Sequence, residues 1–178
     1  MADNFIYGIG FMAGLLGAML IGLIIVLTKI HKKKHTQFDE RQVLARGTAY
    51  KVSFFVAIFY MLACFLVELF ELRWAIFTVQ MIIGVFITCA VFAIMCIFTN
   101  AYFGVNQKNS VAYIEVLASI GLMNTFIGIN NLSDWGLPFT DGALNLNSIN
   151  FIAAIFLFII DIALIIKVIL EKRASVEE

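Results

Sequence analysis

The chain has 178 residues, of which 62% are hydrophobic and 13% are charged, and its formal net charge is zero. A soluble globular domain is about half apolar and about a quarter charged, so this composition excludes one. We therefore predict an all-α integral membrane protein, a helical bundle that forms a single membrane domain over residues 1–178.

The first predicted transmembrane span covers residues 5–28, which contain no charged side chain. About 20 apolar residues suffice to cross the hydrocarbon core. The leader is acidic and the basic cluster follows the apolar run, so a cleavable signal peptide is not expected. Small side chains recur every fourth residue within this span, which predicts close packing against another helix, in the same chain or in a second copy. This small-residue stripe consists of Gly10, Gly14, Ala18 and Gly22.

The segment 29–51 is the longest polar stretch, and its basic residues begin where the first span ends. Positive charge beside a span marks the cytoplasmic side of a membrane. The same side chains would also attract anionic lipids. The candidate contacts to lipid head groups are Lys32, Lys33, Lys34, Arg41 and Arg46.

A helix start is predicted at about Asp39. Asp39 is a favourable N-cap residue, and Gln42 stands three residues later, as in a capping box. We expect this helix to continue without a break into the second span.

Four further spans follow, separated by short polar segments. Arg73 is the single basic residue that the resulting topology places outside, so we predict an outer N-terminus and a cytoplasmic C-terminus. A very short connection after the second span predicts an antiparallel hairpin with the third. An outer loop over residues 130–150 contains Asp141 and Gly142, a turn signal. The spans are residues 52–71, 75–98, 111–129 and 151–169, which makes five in all.

Ionisable residues inside a membrane are costly and indicate candidate functional sites. A helical rise of about 1.5 Å per residue places Asp161, Ser119 and Tyr60 at about 12 Å from the inner ends of their spans. Glu115 lies nearer about 6 Å by the same count. These four residues are a candidate polar layer for binding a cation or relaying a proton. The alternative is a protonated Asp161 that only bonds to a neighbouring helix.

The fourth span is the least apolar, because it contains Glu115, Ser119 and Asn124. We therefore expect protein rather than lipid around it.

No pattern typical of a catalytic or metal site is present. The three cysteines lie within spans without a neighbouring histidine, and the chain has no phosphate-binding glycine loop and no nucleophile elbow. We predict no catalytic residue, no cofactor, no metal site and no nucleic acid partner.

The string FDERQVLARGTAYKVSFF, residues 38–55, resembles a signature of small uncharacterised multi-span membrane proteins of Gram-positive bacteria. In that signature a DERQ motif is followed by an Arg-Gly pair and then by an aromatic residue and a lysine. The resemblance implies a bacterial plasma membrane protein and carries no known activity.

Two functional hypotheses follow. The first is a non-enzymatic subunit or regulator that acts through helix packing and the basic cytoplasmic loop, with anionic lipids, a second copy or another membrane protein as partners. The alternative is an oligomeric transporter or channel for a cation or proton that uses Asp161 and Glu115. A membrane-embedded enzyme is a third and weaker hypothesis.

Overall fold

A computed structural model describes residues 38–104 and 110–174, which belong to one compact unit. The first predicted span, with its small-residue stripe, and the lysine cluster lie outside the described residues. In the described residues, four helices are long and apolar enough to cross a membrane, which agrees with the predicted all-α membrane protein. The number of five spans and their orientation stay predictions. The helices are α1 (Glu40–Leu69), α2 (Phe77–Phe98), α3 (Ser110–Trp135) and α4 (Ile149–Ala174).

The start of α1 confirms the predicted capping box. The Asp39 carboxylate accepts a hydrogen bond from the Gln42 backbone N–H at 2.6 Å, and the Gln42 side chain accepts one from the Asp39 N–H at 3.3 Å. From this cap α1 continues without interruption for 30 residues. The second predicted span is therefore the continuation of a helix that begins in the polar segment, as expected.

Helices α1 and α2 form the predicted antiparallel hairpin. The Tyr60 hydroxyl donates to the Gln80 carbonyl oxygen at 2.7 Å near one end, and the Tyr50 and Phe92 rings lie 4.4 Å apart near the other. A Cβ atom at Gly84 would lie 2.7 Å from the Tyr60 ring. The absence of a side chain at this position is therefore what allows the tyrosine to lie flat against α2.

Helices α3 and α4 pack antiparallel through two glycine and phenylalanine pairs. A Cβ atom at Gly121 would lie 2.9 Å from the Phe158 ring, and one at Gly128 would lie 3.0 Å from the Phe151 ring. Both pairs are spaced by seven residues, so one face of each helix repeats as in a coiled coil. These two contacts fix the register between the helices.

Helix α4 also packs against α2, and the two run parallel. The Phe86 and Phe156 rings stack with centroids 5.6 Å apart. Further along, Ile97 joins Ala163 and Leu164 in a buried cluster. Helix α4 thus contacts α2 and α3 and is the most buried of the four helices.

The predicted outer loop contains a short antiparallel hairpin of β1 (Phe139–Thr140) and β2 (Ala143–Leu144), followed by a single 3-10 turn, Leu146–Ser148. Asp141 and Gly142 both have positive φ, at 50° and 79°, and form the predicted turn. The hairpin is attached to the α1–α2 connection, since Leu144 exchanges backbone hydrogen bonds of 2.9 Å with Trp74 and Ile76.

Candidate functional site

The first polar constellation lies at the end of the bundle where α1 begins and α2 ends, which we call the inner end because the charge distribution predicts it to be cytoplasmic. The Gln42 amide donates to the Asn100 carbonyl oxygen at 2.6 Å and to the Phe103 carbonyl oxygen at 3.1 Å. One side chain therefore caps α1 through its oxygen and holds the loop after α2 through its nitrogen.

Arg46 lies one helical turn after Gln42 and holds the same loop. Its guanidinium donates to the Ala101 carbonyl oxygen at 3.0 Å and lies 4.4 Å from the centre of the Phe38 ring and 5.5 Å from that of Phe92. We call Gln42 and Arg46, with the loop residues 99–104 that they hold, the clamp. Arg46 was predicted to contact lipid head groups, and in the clamp its charged group faces protein.

A small buried core lies next to the clamp. Ala49, Cys96 and Ala101 are each completely buried. Their small side chains let the start of α1, the end of α2 and the following loop approach closely. Asp39, Gln42 and Arg46 of the DERQ and Arg-Gly signature therefore all act at this junction. Gly47 has no neighbour that a Cβ atom would meet within 4 Å, so packing does not explain the glycine of the signature.

Asp161, the central residue of the predicted polar layer, lies in the middle of α4 and is only 4% exposed. Its Oδ1 atom has no hydrogen-bond partner within the part of the chain that the structure describes. Continuing the register from the Phe158 and Gly121 pair by three residues puts Asp161 level with Ala118 of α3. The small alanine there offers no polar group to the carboxyl.

The other three members of the predicted layer bond elsewhere or are exposed. The Tyr60 hydroxyl donates to the Gln80 carbonyl oxygen, and the Ser119 hydroxyl donates to the Glu115 carbonyl oxygen at 2.7 Å within α3. The Glu115 side chain is exposed. In the described residues no hydrogen bond joins any of these side chains to Asp161, and the layer stays a prediction.

The second polar constellation is the exposed face of α3. Glu115 and Ser119 lie one turn apart on this face, and large apolar side chains such as Met123 and Phe126 continue it. Helix α3 has the lowest hydropathy of the four described helices, and 11% of its apolar 18-residue stretch is buried, the same share as in α1. The least apolar span thus presents much of its surface outside the described bundle.

Groups of histidine, cysteine, aspartate and glutamate that could hold a metal ion do not occur among the described residues. Of the predicted head-group contacts, Arg41 is exposed on the first turn of α1.

No family model, curated protein or solved structure matches this chain. The resemblance of residues 38–55 to small bacterial membrane proteins stays a prediction.

Proposed function

We propose that this protein is a non-enzymatic membrane subunit or regulator that assembles with another transmembrane helix through the exposed face of α3. The observation that carries the proposal is the pair Glu115 and Ser119 on that face. An ionised side chain in contact with hydrocarbon costs about 3 kcal/mol at the bilayer centre and less toward the interface. Contact with a protein partner removes part of that cost.

The chemistry of the face fits helix association in lipid. Transmembrane helices associate through close packing and interhelical hydrogen bonds rather than through the hydrophobic effect, and each such bond contributes about 0.6 kcal/mol on average. The Glu115 carboxyl group supplies a hydrogen-bonding group, and the Ser119 hydroxyl, which donates within α3, can still accept from a partner. Met123 and Phe126 supply packing surface further along. A partner helix would need polar side chains opposite Glu115 and Ser119, and small residues opposite Met123 and Phe126.

The clamp supports the regulatory part of the proposal. It ties the start of α1, which lies within the basic segment 29–51, to the loop between α2 and α3. Binding of a partner or of anionic lipid to the basic segment would therefore act on the loop from which α3 begins.

Site-specific photo-crosslinking in intact cells tests the assembly. A photoreactive phenylalanine analogue at Ser119 is expected to crosslink to a protein, either a second copy or another membrane protein. The matched control is the same analogue at Phe59, which is 68% exposed on α1 and has only apolar neighbours on its face. Lipid adducts alone at both positions would contradict the proposal.

A second candidate, an oligomeric transporter or channel for a cation or proton, is favoured by one observation. Asp161 is buried near the middle of α4, and one of its carboxyl oxygens has no partner in the described residues. Because an ionisable group inside a membrane is costly, its presence indicates a functional site. Glu115 lies on the exposed side of α3, so it would complete such a site only from a neighbouring subunit. Loss of cation-dependent stabilisation in Asp161→Asn tests this candidate.

A further inference from the structure

A cavity of about 240 Å³ lies at the inner end, between the loop held by the clamp and the last turns of α4. Its apolar side is formed by Ile97, Leu164 and Val168. Its polar side includes Lys167 and Glu171 of α4 and the backbone of the loop after α2. The cavity is therefore amphipathic and lies beside the last turns of α4, at the end of the bundle that is predicted to be cytoplasmic.

Three consecutive loop residues form part of the wall of this cavity. Tyr102, Phe103 and Gly104 line it, and within the described residues their three backbone N–H groups have no hydrogen-bond acceptor. Gly104 is buried. Unpaired N–H groups in buried backbone are rare in proteins, and successive free N–H groups form typical anion-binding sites.

The clamp accounts for this arrangement of the loop. The Gln42 and Arg46 side chains donate hydrogen bonds to three carbonyl oxygens of the loop, those of Asn100, Ala101 and Phe103. These bonds fix the loop backbone on the side that faces α1. Among the described residues the N–H groups of residues 102–104 have no acceptor, so they are available to an anion.

Lys167 adds a positive charge to the cavity. Its side chain is 20% exposed, and its ammonium lies 3.4 Å from the carboxylate of Glu171, whose side chain is 59% exposed. An ion pair between residues four apart on a helix, with its carboxylate largely in solvent, contributes little to stability. A lysine that precedes its glutamate is also the less favourable order, and a carboxylate near the C-terminal end of a helix is repelled by the helix dipole. Lys167 is therefore easily recruited by a stronger anion.

Tyr102 supplies one more donor beside the cavity. A tyrosine hydroxyl is protonated at neutral pH, and burial raises the pKa of this one further, so it carries no charge that would oppose an anion.

We propose that this cavity binds the phosphate group of an anionic phospholipid of the inner leaflet. Lys167 and the N–H groups of residues 102–104 hold the phosphate oxygens, and Ile97, Leu164 and Val168 contact the glycerol and the first acyl carbons. The volume is below that of a site for a drug-sized ligand, so it accommodates a head group rather than a whole lipid. Pockets with basic residues between helices on the cytoplasmic side bind anionic head groups, and this cavity has Lys167 in its wall at the end predicted to be cytoplasmic.

The test measures binding of three probes to the full-length protein in a neutral detergent: dioctanoyl phosphatidylglycerol, dioctanoylglycerol and inorganic phosphate. We expect phosphatidylglycerol to bind, and dioctanoylglycerol, which lacks the phosphate, to bind at least tenfold more weakly. Equal binding of these two lipids would overturn the proposal. Inorganic phosphate that binds as tightly as phosphatidylglycerol would overturn the lipid assignment and give the site to a soluble phosphate.

Three variants tie binding to the cavity. Lys167→Gln removes the charged donor and is expected to weaken binding of phosphatidylglycerol about tenfold, since a hydrogen bond to a charged group is lost. Arg173→Gln removes one positive charge from an exposed position on the same helix and is expected to change binding by less than about twofold. If the two variants lose affinity equally, the effect is one of general surface charge and the proposed site is wrong.

Glu171→Gln gives a result in the opposite direction, which a misfolded variant cannot imitate. It frees Lys167 from its ion pair and is expected to tighten binding about twofold. Unchanged or weaker binding in a folded Glu171→Gln protein would contradict the role given to Lys167.

Discussion

Replacing Gln42 by glutamate separates the two roles of this side chain. Glutamate at the third position of a helix still accepts the Asp39 N–H, so the capping box is kept. It cannot donate to the carbonyl oxygens of Asn100 and Phe103, which lie 2.6 Å and 3.1 Å from the Gln42 nitrogen. Two hydrogen bonds of about 1 kcal/mol each are lost, and a negative charge faces two carbonyl oxygens. We expect Gln42→Glu to lower the free energy of unfolding by about 2 kcal/mol.

The comparison with Gln42→Ala makes this measurement decisive. Alanine removes the two bonds of Gln42 in the clamp and also the side-chain acceptor of the capping box, whose loss adds about 0.5 to 1 kcal/mol. The free energy of unfolding would be measured by chemical unfolding in detergent micelles, followed by the circular dichroism of the helices. Wild type should have the highest value, Gln42→Glu a lower one, and Gln42→Ala a value equal to that of Gln42→Glu or slightly lower. Arg41→Ala, a change at an exposed neighbour, is the control and should be nearly neutral. A Gln42→Glu protein as stable as wild type would refute the clamp and leave Gln42 as a capping residue only.

Three further predictions use the same unfolding assay or a labelling experiment. Gly121→Ala places a Cβ atom 2.9 Å from the Phe158 ring and should destabilise the protein by about 1 to 3 kcal/mol. The control Gly47→Ala meets no atom within 4 Å and should stabilise the protein by up to about 1 kcal/mol. Equal effects of the two substitutions would mean that α3 and α4 do not pack as described. Asp161→Asn should keep the fold but lose any stabilisation that added cations give to wild type at mildly alkaline pH, and identical melting curves with and without cations, at acidic and alkaline pH, would sink the ion-site hypothesis. A cysteine at Asp141 in a variant without the native cysteines should react with an impermeant thiol reagent added to intact cells, and its protection would overturn the predicted orientation.

The features that could be predicted from the sequence depend on residues that are close along the chain. Asp39 and Gln42 interact across three residues, and Asp141 and Gly142 are adjacent, so the capping box and the outer turn follow from local pattern. Length and composition of each apolar run likewise predict its helix. The clamp could not be predicted, because Gln42 and Asn100 are 58 residues apart and neither belongs to a recognised pair.

The predicted polar layer illustrates a second limit of sequence reasoning. Counting residues gives the depth of Asp161, Ser119 and Tyr60, but not the side of the helix on which each one lies. Ser119 finds an acceptor one turn earlier in its own helix, and Tyr60 finds one on α2. These nearer carbonyls compete with any contact to Asp161. In the same way, Gly121 and Gly128 interrupt an apolar run in the sequence and become packing positions only when Phe158 and Phe151 lie opposite.

The mass of the assembly extracted with its native lipids tests the central claim most directly. The protein would be extracted from membranes with a polymer that retains lipid, and native mass spectrometry would count the polypeptides in each particle. We predict that wild-type particles contain at least one further polypeptide, a second copy or another membrane protein, and that Glu115→Leu with Ser119→Leu reduces them to single chains. Wild-type particles that contain one chain only, or a double variant with an unchanged mass distribution, would contradict assembly through α3.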